Sequence, residues 1–303
     1  MTTNPYRALT LFLLLVTGLG CEKTVIVDVP PHERQIVAKA LFNPDSLWRV
    51  NVSSSVGFQD AIYPFPLLNA AVEIWEEGAL LETLQHVESG FYVAQQTRPQ
   101  PGKTYTLRVA APGYEAVEAS ASLPAASAAP QMSVEALVDT YETPLLNVSV
   151  TIDDPADEQN YYAIDVLLRM TNGHGEEAVT FQSRVGFESN DVVLRGVEAF
   201  DDDTEYFNVA YFEDDLFDGQ SQTISLSTFN QSVFDPEGRI TSTLILRVYV
   251  TDEAYFRYHK TIELQDELDE NPFAEPVRIH SNMSNGFGIF AGYRVYSMVL
   301  AQW

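Results

Sequence analysis

The sequence predicts a mainly β protein made of two antiparallel β-sandwich-type domains, the second carrying one helix near residues 252–268. Three observations predict this. Short segments rich in Val, Ile and aromatic residues recur between turn residues. The cleanest of them, Lys103–Ala110, alternates strictly, with Tyr105, Leu107 and Val109 on one side and Thr104, Thr106 and Arg108 on the other. Helical spacing of apolar residues is convincing in one place only, where Tyr255, Tyr258 and Ile262 follow Thr251-Asp252-Glu253.

The elements follow in order. Gln35–Phe42, Leu47–Val56, Ala71–Trp75, Gly90–Val93, Lys103–Ala110 and Val117–Leu123 read as strands of a first sandwich over residues 34–124. Leu123–Pro130 is small and bracketed by prolines, which makes 125–130 a linker and 131–303 the second domain. There Leu145–Ile152, Tyr161–Met170, Ala178–Phe187, Glu205–Phe212 and Ile240–Val250 read as strands. Asn172-Gly173 tolerates the positive φ of a type I′ hairpin turn between the second and third of these. Thr251 can cap the helix, its early acids favour the positive end of the dipole, and Asn271-Pro272 ends it. Asn285-Gly286-Phe287-Gly288 needs flexible φ before a last strand, Phe287–Leu300, whose Phe287 and Phe290 are expected to pack on the helix.

Composition excludes several functions. Seventeen Lys and Arg stand against 43 Asp and Glu in 303 residues, a net charge of −26. Such a surface repels phosphate backbones, so no nucleic-acid partner is expected. A hydrophobic content of 46% nevertheless leaves enough apolar chain for a core. The single cysteine, Cys21, rules out an internal disulfide framework and any cysteine-rich metal centre.

Residues 1–20 read as a secretory leader. Arg7 is the lone cation, and the apolar run from Leu9 to Leu19 has 11 residues, against roughly 20 needed to span a bilayer. Gly18-Leu19-Gly20-Cys21 resembles the bacterial lipobox, with Gly18 where that motif usually has Leu. The resemblance implies cleavage before Cys21 and fatty chains such as palmitate on its thiol. One chain binds a membrane only marginally, whereas two or three hold firmly. Residues 21–33, with Pro30-Pro31, then read as a lipidated tether reaching about 3 Å per residue. Removal of the leader takes Arg7 and no acid, so the anchored chain carries −27 and is repelled by an anionic leaflet.

Pro101–Val109 followed by Ala111-Pro112-Gly113-Tyr114, with Ala71–Ile74 and Gly90-Phe91-Tyr92 upstream, resembles the carboxypeptidase-regulatory or transthyretin-like sandwich module. That likeness speaks to fold. Asp252–Lys260, Asn271–Val277, Ser281–Phe290 and Asp214–Gln220, together with the lipobox, resemble the Bacteroidota lipoproteins grouped as domain-of-unknown-function family 4249. This resemblance implies an outer-membrane lipoprotein, often encoded beside TonB-dependent receptors, for which no catalytic residues are established.

The sequence carries none of the common catalytic signatures. His32, His86, His174, His259 and His280 form no H-E-x-x-H motif and no close metal-ligand pair. No G-x-S-x-G elbow occurs, and Gly286-x-Gly288 lacks the third glycine and following helix of a nucleotide loop. No enzyme activity and no cofactor beyond the lipid are expected. Asp153-Asp154 with Asp157-Glu158, Asp201-Asp202-Asp203, and Glu213-Asp214-Asp215 with Asp218 each offer oxygen ligands to calcium. An EF-hand reading from Asp214 fails, because Leu216 falls at position 3 and Ser225 at position 12. Solvation is the simpler account of these acids. Tyr161, Tyr162, Tyr206 and Tyr211 could stack on sugars if exposed, though such residues in β domains are more often core or cross-strand pairs. The expected role is therefore that of a non-catalytic, lipid-anchored envelope protein partnering a TonB-dependent transporter. Glycan or ligand binding on the same anchor is the alternative.

Overall fold

Alternation of buried and exposed side chains along short segments sets the architecture. The computed structural model describes residues 32–57, 65–125, 128–138, 144–173, 178–195, 205–229, 240–268 and 275–303. The leader, Cys21 and the tether as far as residue 31 lie outside the described residues, as do His174, Asp201–Asp203 and Asn271-Pro272. Residues 34–303 form one compact unit.

The first half contributes β1 (Ile36–Phe42), β2 (Arg49–Ser54), β3 (Phe65–Pro66), β4 (Ala71–Glu76), β5 (Ala79–Thr83), β6 (Gln85–Glu88), β7 (Phe91–Val93), β8 (Thr104–Ala110) and β9 (Val117–Ser122). The second contributes β10 (Gln131–Val138), β11 (Pro144–Asp153), β12 (Tyr161–Asn172), β13 (Val179–Val185) and β14 (Phe187–Ser189). A single helical turn, α1 (Val192–Arg195), precedes β15 (Glu205–Phe207), β16 (Val209–Glu213), β17 (Ser221–Phe229) and β18 (Ile240–Thr251). The chain closes with α2 (Glu253–Leu268) and β19 (Phe287–Gln302). The protein is mainly β and its sheets are antiparallel apart from one parallel pair, between β1 and β19.

Three sheets result. A ten-stranded sheet runs β13-β12-β18-β19-β1-β2-β7-β6, with β16 also on β12 and β3 on β2. A four-stranded sheet, β5-β4-β8-β9, packs against its first-half strands, and a five-stranded sheet, β10-β11-β17-β14-β15, against its second-half strands. The linking element is β19. Its residues Phe287–Gly292 pair in parallel with β1, and Tyr293–Gln302 pair with β18. The last strand thus pairs with strands on both sides of the 125–130 segment in sequence. Gly288 makes this possible: at φ +120° a Cβ would stand 1.9 Å from the Ala38 carbonyl oxygen.

Each half has its own core. In the first, Phe42, Trp48, Tyr105 and Phe290 form an aromatic cluster, with centroids 4.7 Å apart for Phe42–Phe290 and for Trp48–Tyr105. Phe290 therefore packs away from the helix and Phe287 is exposed, contrary to the sequence expectation. The reason is strand parity: Ile289 and Ala291, on the opposite face, meet α2. In the second core Val148, Val150, Ile164, Val166, Ile224 and Leu246 are buried, each such residue contributing about 1.5–3 kcal/mol.

Two local expectations change. Thr251 ends β18, and Asp252 caps α2 instead, its Oδ1 accepting the Tyr255 N–H at 2.8 Å. Asp252 Oδ2 also accepts the Gly292 N–H at 2.9 Å, which ties the helix start to β19. The β12–β13 hairpin exists, but its register closes at Asn172 and Val179, so the connection runs from Gly173 to Ala178 and is longer than a two-residue turn. Among the described residues no helix is long and apolar enough to cross a membrane.

Candidate functional site

The acidic segments that the sequence offers separately come together at the ends of β11 and β16. Asp154 follows β11, and Asp214 and Asp218 lie in the turn after β16. Carboxylate oxygens of Asp154, Asp214 and Asp218 all lie within 4.8 Å of one another. Asp154 and Asp214 are buried and Asp218 is exposed. Backbone bonds hold the two loops together, from Asp214 N to the Asn160 carbonyl at 3.2 Å and from Asp154 N to the Gln220 carbonyl at 3.1 Å.

Neutral donors surround these acids. Asp214 Oδ1 accepts from Gln159 Nε2 at 2.7 Å, and Oδ2 from the Asn160 backbone N–H at 2.8 Å. Asp154 Oδ1 accepts the Tyr162 hydroxyl at 2.5 Å, and Oδ2 the Gly219 N–H at 3.0 Å. Gln159 Nε2 also reaches Asp215 Oδ1 at 2.9 Å, and the Asp157 N–H reaches Asp218 Oδ1 at 3.2 Å. Burial pushes the Asp214 carboxyl above the usual carboxylate range, against the lowering effect of its Asn160 bonds. Burial, followed by the bond to Asp154, raises the Tyr162 hydroxyl. A depression of about 360 Å³ opens beside the cluster, lined by Asp157, Glu158, Gln159, Asp214, Asp215 and Asp218. Its donor set is all oxygen apart from one amide, which suits a hard cation such as calcium. Asp214, Asp215 and Asp218, expected as calcium candidates, are thus adjacent, and Asp154 joins them. Their inner oxygens already accept protein hydrogen bonds.

The sugar-stacking candidates separate. Tyr162 and Tyr211 are buried, and Tyr161 packs on Phe256 with centroids 5.0 Å apart. Tyr206 alone of the four is well exposed, at 58%. His259 lies on the sheet-facing side of α2, its Nδ1 2.8 Å from the Tyr255 carbonyl and its ring 4.1 Å from that of Tyr255 and 5.5 Å from that of Tyr211. Burial lowers its pKa, as it does that of His280.

One buried charge escaped the sequence reading. Asp165, 1% exposed in β12, is bound by Arg247 of the neighbouring β18. A lone acid inside the apolar run Tyr161–Leu168, matched by a lone arginine inside Leu244–Val250, was the available signal.

Fold and site together define a mainly β protein whose two sandwich halves share one sheet and whose acidic loops converge. The family described as Domain of unknown function (DUF4249) matches residues 22–298, and the chain belongs to that family. No curated protein matches the chain. Among solved structures, it is similar to the collagen binding domain of Erysipelothrix rhusiopathiae surface protein RspB, at 9% identity and a TM-score of 0.19, over 88% of this chain and 96% of that one.

Proposed function

We propose that this chain is a lipid-anchored protein of the outer membrane that binds without catalysing, as an accessory of a TonB-dependent transporter. The observation that carries the reading is at Cys21. The only cysteine closes an apolar leader too short to span a bilayer, and the family match begins at the next residue. Acyl chains on that thiol supply the membrane attachment, and the β body supplies recognition.

Affinity purification of the tagged protein from solubilised outer membrane tests the reading. A transporter recovered in stoichiometric amount is the expected result, and recovery of no stoichiometric partner overturns the accessory role. A second reading, recognition of a glycan, is favoured by one observation, the exposed ring of Tyr206.

A further inference from the structure

The five-stranded sheet buries one face in the second core and turns the other outward. On the outer face the register sets Asn147 beside Ser227, Ser227 beside Glu188, and Glu188 beside Tyr206. This row crosses four strands and spans about 14 Å at the ordinary strand spacing, the length of a short oligosaccharide.

Tyr206 is fixed in an unusual way. Its phenol occupies the space where a side chain at Gly186 would stand: a Cβ there would be 1.7 Å from the hydroxyl oxygen and 1.9 Å from Cζ. The ring is therefore seated over the neighbouring segment, yet 58% of the residue stays open to solvent. A seated, solvent-facing ring offers its electron-rich face to the C–H face of a pyranose.

Beside it lies a depression of about 200 Å³, which Leu226 also lines and whose polar lining is Asn147, Glu188, Ser189, Asn190, Ser225 and Ser227. These groups are short and neutral apart from Glu188, and they can donate to and accept from sugar hydroxyls. Ser189 is held in place, donating to the Ser225 carbonyl at 2.7 Å and accepting the Asp191 N–H at 3.1 Å.

Charge narrows the ligand. The strands of this sheet contain no Lys or Arg, and their charged residues are the acids Glu135, Asp153, Glu188 and Glu205. Sulfated, phosphorylated or uronate polymers are repelled. The row lacks the buried aromatic or arginine anchor on which a protein partner would depend.

We propose that this face binds an uncharged polysaccharide, with one sugar ring stacked on Tyr206 and the next hydrogen-bonded by Glu188, Ser227 and Asn147. The inference rests on the recognition reading above and gives it a site and a ligand class.

The test is affinity electrophoresis of the full chain in gels containing starch, β-mannan, xyloglucan or mixed-linkage β-glucan, with an alginate gel as the charged comparison, followed by calorimetry with any polymer that retards it. Retardation by at least one is expected. Tyr206→Ala and Asn147→Arg should each weaken that binding about tenfold or more, while Tyr206→Phe stays within about twofold. Trp75→Ala, on the four-stranded sheet, serves as a control with unchanged affinity, and thermal melting of every variant confirms the fold. No retardation in any gel overturns the proposal, as does unaltered affinity in both Tyr206→Ala and Asn147→Arg, or stronger retention by alginate. Any of these leaves transporter co-purification and membrane fractionation untouched, so the two readings fail separately.

Discussion

Arg247 grips Asp165 with two parallel hydrogen bonds, Nε to Oδ1 at 2.7 Å and Nη2 to Oδ2 at 2.5 Å. The two residues lie directly opposite each other in the β12–β18 pair, the longest ladder of the ten-stranded sheet. Tyr249 and Arg184 approach the same carboxylate at 3.4 and 3.5 Å. A carboxylate this deeply enclosed is tolerated only when paired. Removing the guanidinium in Arg247→Met should cost about 3 kcal/mol in urea unfolding. Adding Asp165→Leu should restore most of it, because no charge is then left alone. A double variant no more stable than the single one would refute this account.

Asp252 gives the stability a pH dependence of its own. Burial pushes its carboxyl up to about 7, against the opposing bonds from the Gly292 and Tyr255 amides. In the unfolded chain it titrates near the ordinary 3.8. Between those values the folded protein keeps a proton that the unfolded chain has lost. The contribution is therefore complete below about pH 4 and disappears as the pH rises through 7. Asp252→Asn keeps one acceptor for the cap and cannot titrate. The difference in unfolding free energy between wild type and this variant should fall steadily from pH 4 to pH 8. A difference independent of pH would contradict the assignment.

Tyr162 and Asp154 couple the second core to the acidic loops through one short bond. Tyr162→Phe deletes the donor and leaves a buried carboxylate oxygen short of a partner, a loss of about 1–3 kcal/mol. Hydrogen exchange should report the change locally, with faster exchange at the Gly219 amide, which binds the other oxygen of Asp154. Equal protection in the variant would show that the loops hold without this bond.

Cys21→Ala tests the proposed lipid anchor. The variant should leave the membrane pellet and the detergent phase and appear in the soluble fraction, because no acyl chain can be attached. Continued detergent-phase partitioning would refute lipid anchoring. Melting of its β body should match that of wild type.

Strands with a buried side were readable. Tyr105, Leu107 and Val109 alternate in the sequence and all three are buried. β10 alternates as well, with Met132, Val134 and Ala136 between Gln131, Ser133 and Glu135, but the run is short and follows a proline-bracketed linker, and it became an edge strand with Gln131–Leu137 nearly all exposed. In β17 the outward positions are Ser and Thr apart from the terminal Phe229, and only Ile224, Leu226 and Thr228 are buried, which mutes the contrast. The helix was legible from its spacing. Its cap was not, since Thr251 and Asp252 are both good capping residues and the choice depends on where β18 ends.

By itself the sequence determined a mainly β body, a helix near residues 252–268, a strongly acidic composition and a single cysteine just after an apolar run. These are local or compositional properties, carried by period-two alternation, helical spacing and charge counts. Tertiary structure alone decided that β19 pairs with β1 as well as β18, that Asp154 meets Asp214, and that Tyr206 rests over Gly186. Each of those depends on which distant segments share a sheet or a loop junction. Partner choice follows from burying whole faces against one another, and no local pattern encodes it.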